Sequence, residues 1–169
     1  MEAITYIRLQ YADMRRFFNN VLQDLTEEQL NWAPPGKANS IASTLLHTIG
    51  GEDMFFQQII QGKPTLWETQ GWNKRFTIPN PPGGGLCWKE AAETHFQKEM
   101  ILEYMKAVQS ATDTYLACLN DSELVRSIKV FGRELQIAEI LALQVTHITE
   151  HGGEIAAIKG IHGENGLPF

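Results

Sequence analysis

The chain is poor in cysteine. Its two cysteines, Cys87 and Cys118, lie far apart, in neither a CxxC redox pair nor a dense disulfide framework, so a reduced, cytoplasmic protein is the expectation. It is also short of positive charge: 14 Lys and Arg against 20 Asp and Glu leave a net charge of −6. The basic residues are scattered and form no stripe able to neutralise a phosphate backbone, which argues against nucleic-acid binding. No apolar run is long enough to cross a bilayer, and the opening MEAITYIRLQ lacks a basic stretch followed by an apolar core, so neither a membrane span nor a leader is expected. There is no internal repeat and no phosphate loop. Gly83, Gly84 and Gly85 are followed by neither the lysine nor the hydroxyl of GxxxxGK[ST], and no convincing strand precedes them.

What the chain does have is helical periodicity. With 169 residues, 43% of them hydrophobic, it is sized for one domain with its own core, spanning 1–169. From Ile4 to about Leu25 the apolar residues Ile4, Ile7, Tyr11, Met14, Phe18, Val21, Leu22 and Leu25 recur three or four apart, the spacing of a helix face. Thr26-Glu27-Glu28-Gln29 reads as a short capped turn, stopped by Pro34-Pro35-Gly36. Asn39 or Ser40 can cap a second long helix over 41–60, ended by Gly62 and Pro64. The segment 61–86 holds Pro64, Gly71, Pro79, Pro81, Pro82 and the three glycines, and reads as a long irregular connection. A third helix is expected over 88–119, with Ala92, Phe96, Met100, Tyr104, Ala107, Ala111, Tyr115 and Cys118 on one face. A brief extended piece at 128–133 precedes a fourth helix over 135–158 and a glycine-rich tail. The fold class is all-α: a four-helix bundle with a long crossover loop between helices two and three, an architecture that places ligands between facing helices.

Within the fourth helix stands VTHITEHGG, in which His147 and His151 are four residues apart. Residues i and i+4 project from one side of a helix, so the two imidazoles can serve one ion; the same spacing suits two polar residues at a core boundary. At about 100° per residue they flank the stripe Ile137, Leu141, Val145, Ile148 and Ile155 and so border the core. A catalytic zinc-type site needs a third ligand. His47 is the best candidate, because it lies inside the second helix, whereas His95 begins the third and His162 falls in the tail. Its side of that helix carries Ser43, Thr44, Gly50, Gly51 and Met54, nearly opposite the apolar stripe. Either His47 is exposed, or the glycines let another element come close.

LTEEQLNWAPPGKANSIASTLLHTIGGED and HITEHGGEIAAIKGIHGENGLP together resemble the DinB-like superfamily of metal-binding four-helix bundles, which includes YfiT-like metal-dependent hydrolases and bacterial thiol transferases. The resemblance runs along most of the chain. It implies a metal triad of His47, His147 and His151, holding a divalent ion, zinc or nickel, with one position open to water or a thiol. It also implies a small-molecule substrate, with a low-molecular-weight thiol as co-substrate, and a homodimer. The reactions it suggests are thiol S-transfer and hydrolysis.

No side chain stands out as a catalytic acid or base. Glu150 and Glu154 point away from the buried stripe and read as solvated, whereas Glu52 falls on the apolar side of its helix and reads as a buried partner. Trp67, Trp72 and Trp88, with Lys74 and Arg75, either cover a pocket for an anionic thiol or pin the loop to the bundle; pinning is favoured. HITEH also matches the HxxEH string of inverzincin proteases, with Glu150 as base, but too little chain follows to supply their distal ligand. The alternative from a different class is a non-catalytic bundle, metal-stabilised or metal-free, that works by pairing with a second copy or another protein.

Overall fold

The computed structural model describes residues 2–84 and 86–167. Helix α1 (Ala3–Leu22) buries Tyr11, Met14, Phe18, Val21 and Leu22 on one face. Each such side chain contributes roughly 1.5–3 kcal/mol on leaving water. The short α2 (Glu27–Asn31) starts with a capping box: Gln29 N donates to Thr26 Oγ1, and Thr26 N donates to Gln29 Oε1. Ser40, one of the two expected caps, takes the Ser43 amide at the start of α3 (Ile41–Asp53). From Met54 to Ile60 the same helix continues with π winding.

The crossover contains two single-turn helices, α4 (Leu66–Thr69) and α5 (Trp72–Arg75), where the breaker-rich sequence suggests none. The third long helix is in fact two, α6 (Trp88–Glu93) and α7 (Lys98–Ala117). The side chain of Asn31 explains the break: it accepts from Phe96 N at 2.8 Å and donates to Phe96 O at 2.9 Å, supplying the partners that a continuous helix provides internally. Glu27 then accepts from Lys98 N at the start of α7. The buried face of α7 is Ile101, Tyr104, Val108, Thr112 and Leu116, rotated from the expected one; Ala92 and Cys118 are exposed.

After α8 (Asp121–Leu124), β1 (Ser127–Val130) and β2 (Arg133–Gln136) form an antiparallel hairpin with Val130 opposite Arg133. Its turn residues Phe131 and Gly132 have φ of 48° and 82°, as a type I′ turn requires. Helix α9 (Ile137–His162) follows directly and ends at Gly163, which has φ of 102°.

The fold is an all-α bundle of α1, α3, α7 and α9. Helices α1 and α9 are parallel: Tyr11 Oη donates to Leu141 O, and further along Lys159 Nζ donates to Val21 O. The other two oppose α1: along α3 and its π-wound continuation, Tyr11 meets Phe56 and Arg15 meets Glu52, and along α7, Arg8 reaches Leu116 and Arg15 reaches Asp113. Helices α3 and α7 therefore run in the same direction, and joining them requires the long crossover. Among the described residues, no helix is long and apolar enough to cross a membrane.

Candidate metal centre

The bundle brings together His47 from α3 with His147 and His151 from α9, which packs against it in the opposite direction. Of the two readings of the His47 face of α3, the structure shows the second: other elements come close at its glycines. A Cβ at Gly51 would stand 3.2 Å from Cε1 of His147, and one at Gly50 would stand 2.3 Å from Cβ of Pro81. Gly51 thus admits the imidazole of α9, and Gly50 admits the crossover loop. The sequence contains these glycines but does not say which element each one receives.

The three rings pack edge to face, with centroids 5.1 Å (His47 to His147), 4.8 Å (His47 to His151) and 4.6 Å (His147 to His151) apart. One ligand nitrogen from each lies within 4.8 Å of the others, and among the described residues no Asp, Glu or Cys joins them. Nε2 of His47 is 3.2 Å from Nε2 of His147. Two imidazole nitrogens about 2.0–2.1 Å from one tetrahedral ion are roughly 3.3 Å apart, so the spacing of this pair suits a divalent metal. The same separation suits a hydrogen bond in which one Nε2 keeps its proton. An ion that displaces this proton needs little rearrangement of the pair.

Two of the rings are oriented from behind. Nδ1 of His47 donates to Pro82 O at 2.8 Å, and Nδ1 of His151 donates to a carboxylate oxygen of Glu154 at 2.9 Å. With the proton on Nδ1, each presents its Nε2 lone pair to the cluster, the arrangement that outer-shell partners impose on metal-binding histidines. Burial lowers the pKa of His47. Burial, followed by the neighbouring His151 and His47, pushes that of His147 down to about 4. Near pH 7 both are held neutral, the form that ligates.

Trp88 flanks the centre, its ring 5.1 Å from that of His47. Trp67 and Trp72 do not: Trp67 stacks on Phe76 at 5.1 Å, and both tryptophans pack on Tyr104, so these two pin the loop. Arg75 lies over Trp72 and pairs with Glu103, and Lys74 is exposed; neither lines the centre. The loop is anchored by buried Asp53, whose carboxylate accepts from Leu66 N, Trp67 N and Tyr104 Oη, each at 2.9 Å. Glu52 is buried and pairs with Arg15 at 3.0 Å, as its place on the apolar side suggests.

His95 bonds Glu27 and His162 packs on Trp32, both outside the cluster. Glu150 is exposed, which removes the base of the HxxEH reading. Glu154 corrects the sequence reading: it is partly buried and bonded to His151, a partner that the i,i+3 spacing offers. Pro82 acts through a backbone carbonyl, for which no sequence signal exists.

The family model described as the DinB superfamily matches residues 10–155. The crystal structure of a conserved protein from Enterococcus faecalis superposes with a TM-score of 0.81, covering 97% of this chain and 99% of that one at 18% identity, a likeness of fold. No curated protein matches the sequence.

Proposed function

The chain belongs to the DinB superfamily, and from that membership and its histidine cluster we propose that it is a divalent-metal protein, with His47, His147 and His151 as the ligands and thiol S-transfer as the reaction. The single observation that carries the metal reading is the 3.2 Å approach of two Nε2 atoms, one of them with its proton already committed to Pro82 O on the far side of the ring.

A divalent ion in this place supplies Lewis acidity, which lowers the pKa of a thiol or water in the remaining position. Zinc and nickel both suit neutral imidazole. Among the described residues no carboxylate stands free at the cluster to serve as a general base, because Glu154 is engaged by His151. Thiol chemistry needs less help than hydrolysis: an ordinary thiol ionises near pH ~8.5 and water near ~15.7. In the reaction, the thiol loses its proton to solvent, its sulfur bonds to an electrophilic carbon, and the leaving group departs with the electrons of the broken bond. Pro82 O and Glu154 keep their imidazoles aligned, while Trp88 and the backbone around Gly83 wall the His47 side.

The test is a panel of low-molecular-weight thiols and electrophiles with zinc- or nickel-loaded protein, alongside ester and amide substrates. Metal-dependent thioether formation that is lost in His147→Ala supports the proposal. Ester or amide cleavage alone replaces transfer by hydrolysis, and inactivity across the panel turns the reading to a metal-stabilised binding module.

A further inference from the structure

Of the three imidazoles, His147 alone lacks a partner behind its ring: its Nδ1 is buried and makes no hydrogen bond, whereas those of His47 and His151 do. One helical turn earlier on α9 is Gln144, 0% exposed, with neither Oε1 nor Nε2 bonded to any protein group. A buried primary amide left unpaired is rare and costly, and two unpaired polar groups one turn apart on one helix call for a common explanation. Residues i and i+3 are surface neighbours on a helix, and a helical side chain leans over the turn N-terminal to its own Cα, which sets His147 toward Gln144.

Metal binding supplies the explanation. When Nε2 of a neutral imidazole ligates, its one proton sits on Nδ1 and requires an acceptor. We propose that Gln144 is a positioning residue for the histidine centre: its amide oxygen takes the Nδ1 proton of His147, directly or through one buried water, and fixes the tautomer that presents Nε2. The inference rests on the metal reading above.

Other buried polar groups are less suited. Glu52 already holds Arg15. Thr112 is on α7, which packs against α3. The unbonded Thr44 hydroxyl lies seven residues, about 10 Å of helix, from the Gly51 that touches His147.

The experiment uses the full, untagged chain as wild type, Gln144→Leu and Thr44→Val, each titrated with zinc against a chromophoric chelator and melted without metal. Leucine is close to glutamine in size and removes both unpaired atoms, so metal-free Gln144→Leu is expected to melt no lower than wild type while its zinc affinity falls about 10- to 100-fold. Thr44→Val is expected to stay within about twofold of wild type, a change of ~0.4 kcal/mol. Zinc affinity of Gln144→Leu within twofold of wild type overturns the role of Gln144 alone, and wild-type protein that takes up no zinc overturns the metal reading with it. Nitrogen-15 spectra of histidine-labelled, zinc-loaded wild type decide independently, even if Gln144→Leu does not fold. A hydrogen-bonded proton on Nδ1 of His147 supports the inference, and ligation through Nδ1 overturns it.

Discussion

Nε2 of His47 and Nε2 of His147 face one another at 3.2 Å across the α3–α9 interface, although a hundred residues of chain separate them. Everything that aligns them, from Gly51 to the crossover loop, is open to substitution.

The outer shell gives the first prediction. Glu154 holds the Nδ1 proton of His151 and is only partly buried, so removing its carboxylate has little effect on folding but loosens a proposed ligand. Glu154→Ala should weaken zinc binding by about 10- to 100-fold, with Glu154→Gln, which keeps an acceptor, weakening it less. Chelator competition at fixed pH measures this, and equal affinities in all three proteins would contradict it.

Adjacent glycines should behave differently. A Cβ at Gly50 meets Pro81 at 2.3 Å, so Gly50→Ala has to displace the loop and should destabilise the protein by about 1–3 kcal/mol. A Cβ at Gly51 meets only the edge of the His147 ring at 3.2 Å, and alanine favours a helix over glycine by up to ~1 kcal/mol. Gly51→Ala should therefore keep its stability and lose metal affinity. Denaturant melts and zinc titrations of the two variants separate these effects.

In metal-free protein, the depressed pKa of His147, about 4 in the fold, gives stability a pH dependence of definite sign. The unfolded chain takes up a proton as pH falls below about 6.5, before the folded chain does, so the stability present above that value is lost progressively down to about pH 4. Glu52, raised by burial, acts in the opposite direction. The quantity to measure is accordingly the difference between wild type and His147→Asn: the gap in melting temperature should shift in favour of the variant as pH falls through this window, and a constant gap would contradict the assignment.

Asp53 ties the crossover to the bundle through three hydrogen bonds. Asp53→Ala leaves Tyr104 Oη and two amides without their acceptor, a loss on the order of 3 kcal/mol. Limited proteolysis should cut within 61–86 faster than in wild type, and zinc affinity should fall as well, because Pro82 O rides on the same loop.

Much of this was legible in the residues. The positions of the long helices are written in periodicity, though the face that α7 buries is rotated from the one it suggests; Ser40 and the Thr26 box are written in capping chemistry, and the three histidines in a resemblance that joins two distant segments. What stayed hidden depends on tertiary replacement of local bonds. The break at 94–97 falls within continuous helical spacing because its hydrogen bonds are supplied by Asn31, which belongs to another element. The side of His47, which periodicity leaves open, is filled by a loop and a helix that periodicity cannot place. Pro82 orients His47 through its main chain, and Glu154 reads as solvated because the rotation angle alone ignores a neighbour three residues back.

The most direct test is the metal content of untagged protein, wild type against His47→Ala, after loading with zinc and exhaustive exchange into metal-free buffer. The expected result is one ion per wild-type chain and close to none in the variant, whose remaining His147 and His151 cannot complete a three-histidine set. Full stoichiometric zinc in His47→Ala, or none in wild type, would contradict the proposed centre.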